Sequence, residues 1–267
     1  SVGEPIGRQM NVDMVSFTCS TETGKHFLRY AADSNMKKIV LECGGKNPAV
    51  VFDDAENLDH VAEHVVNAAF WNAGQNCSAA SRLIVHKTIK APLMARIEAR
   101  LRGWKVGDPL DPGIHIGALI DAEHCKKVRK FLKNQDKGKG PFVSPVIYEV
   151  SADDARAKDE IFGPILSVIE VATNDEAVAI ANQTEYGLAA SVFTANTRQA
   201  IRAARDIQAG TVTVNCYGEG DISTPFGGYK QSGFGGRDNG LHAHDQFTEL
   251  KTIWIDLTDP ADGDNIG

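Results

Sequence analysis

The sequence predicts an α/β fold built around a parallel sheet. Short apolar runs rich in Val and Ile, typical of strands that are buried on both faces, alternate along the chain with segments of helical apolar spacing. The order opens with strand, turn, helix and strand, which is one parallel crossover unit. With 267 residues, the chain is long enough to bury a substantial core, as one large domain or two modest ones.

The opening crossover unit occupies residues 13–42. Residues 13–18 read as a buried strand, and residues 19–24 as a turn that opens a helix running to about Ala32. Residues 38–42 are the next strand. Because both faces of a parallel sheet need cover, this unit with its single helix does not make a domain by itself.

After Pro48 the alternation restarts. Further strands are predicted at residues 49–52, 82–86, 165–171, 191–194 and 211–215. Helices are predicted at residues 58–72, 92–102, 121–133, 174–182 and 197–207, and a loop rich in Asp, Pro and Gly at 107–117. A last strand at 252–257 has no following helix to cover it, and the acidic tail from Thr258 is predicted to be disordered.

Composition limits the classes of function. The net charge of -7, with no long basic run, argues against a nucleic-acid partner. No apolar stretch approaches the ~20 residues that span a bilayer, and residues 1–5 do not begin a signal peptide. The five cysteines form neither a CxxC pair nor a Cys/His cluster with zinc spacing, so we expect no metal and a reducing compartment, the cytoplasm. They are Cys19, Cys43, Cys77, Cys125 and Cys216.

Two glycine-rich segments contain residues suited to covalent chemistry on a carbonyl. Glu42 ends a strand just before a Gly-Gly turn, over which a carboxylate can swing. Cys77 follows a tight bend at residues 73–76, in a context that a buried structural cysteine does not explain. A thiol that attacks a carbonyl and a carboxylate that then activates water can take an aldehyde through a thioester to an acid.

These segments, residues 41–48 and 74–78, resemble the glutamate and cysteine signatures of the NAD(P)-dependent aldehyde dehydrogenase superfamily. The resemblance implies a three-layer α/β catalytic domain at residues 44–243. It implies a remnant of a Rossmann-type NAD-binding domain at 1–43, and an oligomerisation strand with a tail at 244–267. It also implies that Cys77 is the catalytic nucleophile and Glu42 the general base for thioester hydrolysis.

The same resemblance implies a cofactor site for NAD, with NADP left open. Residues 160–164, Glu-Ile-Phe-Gly-Pro, resemble the family's cofactor clamp, in which Glu160 would accept hydrogen bonds from ribose hydroxyls and Phe162 would pack near the nicotinamide. Residues 19–24 align with the family's Gly-Ser-Thr-x-x-Gly turn, so Ser20 is expected to hold the pyrophosphate at a helix N-terminus. Cys19 replaces the first glycine, and its side chain could crowd a phosphate or demand a positive φ.

The sequence near the end of the chain most resembles that of superfamily members that act on aminoaldehydes, above all the γ-glutamyl-γ-aminobutyraldehyde dehydrogenases of polyamine breakdown. The segments that carry this likeness are residues 219–221, 225–233 and 249–254. Glu219 and Asp221 could favour a substrate that bears an amine. The resemblance also implies that the strand at 252–257 joins subunits into a homodimer or homotetramer.

The resemblance begins inside the cofactor domain, and the connection at residues 133–141 is shorter than in relatives. We find no counterpart of the family's oxyanion-hole asparagine or of its lysine that contacts the adenosine ribose. We therefore expect this chain to be inactive as a dehydrogenase and the parent protein to be active. Two other hypotheses stay open: a non-catalytic short relative that acts as a structural or oligomerising module, and a cysteine hydrolase, for which no His partner near Cys77 is identifiable.

Overall fold

The computed structural model describes residues 2–134, 140–218 and 220–257. Its strands are β1 (Met14–Thr18), β2 (Lys38–Glu42), β3 (Pro48–Val51), β4 (Arg82–His86), β5 (Val146–Glu149), β6 (Ile165–Val171), β7 (Tyr186–Gly187), β8 (Ala189–Phe193), β9 (Thr211–Val214), β10 (Tyr229–Lys230) and β11 (Gly233–Phe234). Its helices are α1 (Gly3–Arg8), α2 (Thr21–Ala32), α3 (Leu58–Phe70), α4 (Lys87–Leu101), α5 (Ala122–Arg129), α6 (Ala155–Lys158), α7 (Asn174–Asn182), α8 (Thr197–Asp206) and α9 (His242–Asp245).

Six strands form one parallel sheet in the order β5-β6-β4-β3-β8-β9. Along β3, Ala49 and Val51 pack into one apolar cluster with α3 and α4, whereas Val50 packs into a second cluster with α7 and α8. Successive strand residues point to opposite faces, so apolar residues at every position of β3 bury both faces of the sheet. The predicted three-layer α/β fold is confirmed.

A second, smaller sheet has the order β1-β2-β11. Its strands β1 and β2 are parallel, and α2 between them completes the predicted crossover unit. Strand β11 pairs antiparallel with β2, so that Gly233 lies opposite Glu42. Residues from near the end of the chain thus complete the sheet built by its beginning. The division into domains at residues 43 and 243 stays a prediction.

Most predicted elements are confirmed to within a few residues, and two helices differ for identifiable reasons. Helix α4 begins at Lys87 rather than at residue 92, because the His86 ring accepts a hydrogen bond from the Thr88 amide and caps the helix there. Helix α5 ends at Arg129 rather than at 133, because Phe131 and Leu132 bond to carbonyls only three residues back, which tightens the last turn. Strand β5 was not predicted.

The strand predicted at residues 252–257 stays a prediction, because it was expected to pair with the sheet of a neighbouring subunit. The segment pairs with no strand among the described residues, and its apolar side chains are exposed, Trp254 by 90%. A strand needs a partner for its backbone donors and acceptors, and the described part of this chain offers none here. The predicted disordered tail, and residues 135–139 of the short connection, lie outside the described residues.

Two buried cations lie side by side at the amino end of the six-stranded sheet. Arg82 is 1% exposed and donates hydrogen bonds to three carbonyl oxygens, those of Lys46 (2.8 Å), Ile180 (3.0 Å) and Ala181 (2.9 Å). Lys46 is equally buried, yet its Nζ has no hydrogen-bond partner. The pKa of Lys46 is lowered to about 7, mainly by burial and to a smaller degree by the nearby Arg82 charge.

Candidate active site

A cleft of about 560 Å³ lies between the two sheets. It is bounded by the segments that follow β1 and β2 at their carboxyl ends and by those that precede β4 and β6 at their amino ends. Four of the five predicted site residues line it, namely Ser20, Cys77, Glu160 and Phe162. A larger groove of about 650 Å³ between α7 and α8 contains none of them.

The backbone before Cys77 is sharply bent. A 3-10 turn at Trp71–Gly74 follows α3, and Asn72, Ala73 and Gly74 all have left-handed φ values, of 52°, 57° and 69°. Gly74 also needs the absence of a side chain, because a Cβ there would lie 2.4 Å from the Gly163 carbonyl oxygen. This strained turn ends α3 and directs the following segment into the cleft.

A buried amide holds the Cys77 segment in place. The Asn47 side chain, 3% exposed, donates to the carbonyl oxygens of Cys77 (2.8 Å) and Ala79 (3.1 Å) and accepts from the Ala189 amide (2.9 Å). The Cys77 Sγ itself is half-buried and lies 3.8 Å from the Asn76 Oδ1. Asn47 lies within the glutamate signature but is not among the site residues predicted from the sequence.

A second network supports the segment from β9. The Asn76 Nδ2 donates to the Tyr217 hydroxyl and to the Ser78 Oγ, both at 3.0 Å, and the Tyr217 amide donates to the His64 Nδ1 at 3.1 Å. The residues on either side of Cys77 are therefore tied to the end of β9 and to α3. No spacing in the sequence signals this contact, because the partners are far apart along the chain.

Glu42, the last residue of β2, is 7% exposed and is not among the residues that line the cleft. Neither of its carboxylate oxygens has a hydrogen-bond partner. The pKa of Glu42 is raised to about 8, mainly by burial and to a smaller degree by the charge of Asp238, while the Arg237 charge opposes the shift. Gly227 makes room for this carboxylate, because a Cβ there would lie 2.7 Å from Oε1.

One wall of the cleft is formed by the N-terminal end of α2. Ser20 is the N-cap of this helix, and its Oγ accepts a hydrogen bond from the Thr23 amide at 3.3 Å. Cys19 is not among the described residues with a positive φ, so the expected demand on its backbone is not found. Its side chain packs against the apolar cluster that contains Cys43.

Glu160 and Phe162 line the opposite wall. The Glu160 Oε1 accepts a hydrogen bond from the Gly45 amide at 3.0 Å, and a Cβ on Gly44 would lie 2.0 Å from both Glu160 oxygens. Burial raises the pKa of Glu160, while the Gly45 amide and the Lys46 charge oppose the shift. Phe162 has a φ of 55°, and its carbonyl accepts a hydrogen bond from the His124 Nε2 at 2.7 Å.

These groups fit a dinucleotide. A helix N-terminus beside a serine hydroxyl suits a phosphate, and a carboxylate suits the paired hydroxyls of a ribose. Gly44 leaves the space in which the Glu160 carboxylate sits, and the partly exposed Phe162 offers an aromatic wall for a flat ring.

Within the ranges that the structure describes, no three His, Cys, Asp or Glu side chains are grouped as a metal site, and no helix is long and apolar enough to cross a membrane.

Of the two acidic residues that were expected to favour an amine-bearing substrate, Glu219 lies outside the described residues. The Asp221 carboxylate binds within its own turn, where its Oδ1 accepts hydrogen bonds from the amide and the hydroxyl of Ser223.

The chain is similar in sequence to a known protein family and to several characterised proteins. Residues 1–253 match the family model described as Aldehyde dehydrogenase family. The chain is 58% identical to the aminoacetaldehyde dehydrogenase of Pseudomonas aeruginosa, with 96% of this chain and 54% of that protein covered. It is 40% identical to the NADP/NAD-dependent aldehyde dehydrogenase PuuC of Escherichia coli, with the same coverage.

Among solved structures, the γ-glutamyl-γ-aminobutyraldehyde dehydrogenase of Burkholderia cenocepacia superposes with a TM-score of 0.88 at 44% identity, covering 93% of this chain and 53% of that one. The chain thus spans about half the length of the relatives that it matches. The resemblance noted in the sequence is confirmed: the chain belongs to the aldehyde dehydrogenase family.

Proposed function

We propose that the complete protein oxidises an aldehyde to the carboxylic acid with a nicotinamide cofactor, and that Cys77 is its nucleophile. The observation that carries the proposal is the cleft, which brings Cys77 together with Ser20, Glu160 and Phe162 from separate parts of the chain. A purely structural or oligomerising module has no need to keep these residues in one cleft. The enzyme hypothesis is therefore favoured over the module.

The chemistry starts at Cys77. Its thiolate adds to the aldehyde carbon and forms a thiohemiacetal, while the hydrogen bonds from Asn47 hold the backbone of the nucleophile in place. A nicotinamide bound in the cleft would supply the hydride acceptor for this carbon, and Cys77 would then carry the substrate as a thioester. On the cofactor side, Ser20 and the start of α2 would hold a phosphate and Glu160 a ribose.

Glu42 completes the cycle as the general base. With a pKa of about 8, the ionised fraction of this carboxyl grows as the pH approaches 8, and the carboxylate can take a proton from water and return it afterwards. Because no hydrogen bond holds either carboxylate oxygen, the side chain can swing past Gly44 towards the thioester without breaking one. Water then displaces the Cys77 sulfur, releasing the acid and the free thiol.

The finer assignments follow from similarity. We propose an aminoaldehyde substrate because the chain is 58% identical to an aminoacetaldehyde dehydrogenase, and a place in polyamine breakdown because of the likeness to γ-glutamyl-γ-aminobutyraldehyde dehydrogenase. We propose NAD as the cofactor, with NADP a second candidate, and the cytoplasm as the compartment. Since the chain spans about half of its relatives' length, we expect residues 1–267 alone to lack turnover.

Limited alkylation tests the role of Cys77. In the complete protein, iodoacetamide is expected to modify Cys77 before the other four cysteines of residues 1–267, because Cys77 lines the cleft and serves as the proposed nucleophile. Cys216 is the stringent comparison, since it is more exposed. Pre-incubation with an aminoaldehyde should protect Cys77 and leave Cys216 unprotected.

The matched kinetic test uses Cys77→Ala and Cys125→Ser. The first variant should lose NAD-dependent aminoaldehyde oxidation, while the second should keep it, because Cys125 is buried in the core away from the cleft. Uniform labelling, preferential labelling of Cys125 or Cys216, or retained turnover in Cys77→Ala would contradict the assignment.

We also propose that the segment 252–257 joins subunits of the complete protein into a homodimer or homotetramer. Its exposed apolar side chains support this, because an unpaired segment of this kind gains stability from a neighbouring sheet. The exposed residues are Ile253, Trp254, Ile255 and Leu257.

Deletion from Lys251 onward tests this assembly. The deletion is expected to leave the two sheets folded, since no described residue beyond Lys251 belongs to either of them. Sedimentation should shift towards the monomer, with far-UV circular dichroism as the control for folding. A deletion variant that sediments like its parent would rule out this segment as the subunit contact.

A further inference from the structure

Two cysteines outside the proposed chemistry lie next to each other on neighbouring strands. Thr18 of β1 is the register partner of Glu42 of β2, so the next residues, Cys19 and Cys43, continue the same parallel register. The Cys19 amide donates a hydrogen bond to the Glu42 carbonyl oxygen at 2.9 Å, which keeps the two chains paired at this point. Paired strands lie about 4.8 Å apart, within the Cα separation of about 4.4–6.8 Å that a disulfide requires.

Both side chains point to the same face of the small sheet. Cys43 belongs to the apolar cluster between this sheet and α2, and Cys19 packs against that cluster. Gly24 of α2 forms the floor beneath them, because a Cβ there would lie 3.2 Å from the Cys43 Sγ and 3.6 Å from the Cys19 Sγ. The two thiols are also close enough to shift each other's pKa, in opposite directions.

The pair is also open to small molecules. Cys19 is half-buried and Cys43 is buried, yet both line the same cleft as Cys77. The hydrogen bond from Cys43 lowers the pKa of Cys19, and the same bond raises the pKa of Cys43. Cys19 is therefore the better nucleophile of the two, and Cys43 is held beside it as a second thiol.

We infer that Cys19 and Cys43 form a reversible modification site, a dithiol that a hydroperoxide oxidises to a disulfide in the wall of the cleft. The Cys19 thiolate attacks one peroxide oxygen, the O–O bond breaks, and the other oxygen leaves as water or an alcohol. The Cys43 sulfur then attacks the resulting sulfenic acid, whose hydroxyl leaves as water with the Cys43 proton. Two electrons pass from the two sulfurs to the peroxide, and a dithiol reductant reverses the change.

Peptide mapping tests the site directly in the complete native protein. After treatment with hydrogen peroxide, free thiols are alkylated and the protein is digested with trypsin without reduction. Trypsin separates Cys19 in residues 9–25 from Cys43 in residues 39–46 and from Cys77 in residues 47–82. The expected product is the peptide pair 9–25 with 39–46, which disappears when dithiothreitol is added before digestion.

Cysteine-to-serine variants show which two cysteines form the disulfide. Cys19→Ser and Cys43→Ser should each abolish the linked pair, whereas Cys77→Ser and Cys125→Ser should retain it. Since the wild-type protein itself gives the decisive peptide, the test does not depend on every variant folding. A link that joins Cys77 to either thiol, sulfinic acid on Cys19 without a link, or no linked peptide would overturn the inference.

Discussion

Glu42→Gln in the complete protein is expected to lower steady-state turnover by about 10²- to 10⁴-fold, the usual contribution of a general base. The first turnover should remain fast, because Cys77 still attacks the aldehyde and hydride transfer does not need the carboxylate. The result is one rapid burst of reduced cofactor per active site, followed by a slow phase. Stopped-flow absorbance of the reduced nicotinamide measures both phases in one experiment.

The pH dependence gives a second signature of Glu42. Only the ionised carboxylate can act as a base, so where thioester hydrolysis limits the rate, wild-type turnover should rise with pH and level off above about 8. The residual turnover of Glu42→Gln should lack this rise. Glu170→Gln, which changes an exposed glutamate on β6, is the matched control and should behave as wild type. Normal turnover in Glu42→Gln would remove Glu42 from the mechanism.

The same carboxyl also links stability to pH. Its folded-state pKa of about 8 lies above the ordinary value of 4.5, so between these values the folded state binds more protons than the unfolded state. The free energy of unfolding therefore falls as the pH rises through this window. Glu42→Gln should remove that slope, which makes the variant more stable than wild type at pH 9 while it is far less active.

Arg82→Met is expected to lower the free energy of unfolding by about 3 kcal/mol, since each buried acceptor left without a donor costs about 1–3 kcal/mol. The methionine fills much of the volume but removes the Arg82 donor from the carbonyls of Lys46 and Ala181, and from that of Ile180, which keeps the Gln183 amide. Buried acceptors without a partner are costly. Urea unfolding followed by tryptophan fluorescence measures the change.

Lys46→Met is the matched control for Arg82→Met, since it removes a neighbouring buried cation whose Nζ has no partner. We expect this variant to be as stable as wild type or more stable. The folded-state pKa of Lys46, about 7, lies below the ordinary 10.5, so wild-type stability rises with pH between these values and the variant should lack that rise. If Arg82→Met is no less stable than Lys46→Met, the three carbonyl contacts do not support the fold.

The sequence predicts the parts of the fold that depend on local pattern. The alternation after Pro48 correctly gives the strands and helices of the large sheet, because residues buried on both faces leave a continuous apolar run. Strands that depend on distant partners are not predictable from local pattern. Strand β11 has two residues and exists because β2 lies beside it, whereas residues 252–257 have strand composition but lack a partner.

The same distinction applies to the site. The glycine-rich segments around Cys77 and Glu160 carry enough local signal to be found, and the structure brings them into one cleft. The neighbours of Glu42, above all Asp238 and Arg237, come from the other end of the chain, and no periodicity or spacing connects them. The burial of Glu42, and with it the raised pKa of its carboxyl, therefore could not be predicted from the sequence.

The pairing of β11 with β2 has a consequence for biosynthesis. Gly233 is synthesised roughly 190 residues after Glu42, its partner in the small sheet. At a translation rate of about 5–20 residues per second, the ribosome needs about 10–40 s to cover that distance. During this interval the nascent chain exposes the free edge of β2, which is the stage at which a chaperone has an edge to protect. Glu42, the proposed base, is therefore covered late, and a polypeptide released before residue 233 would carry it on an open strand.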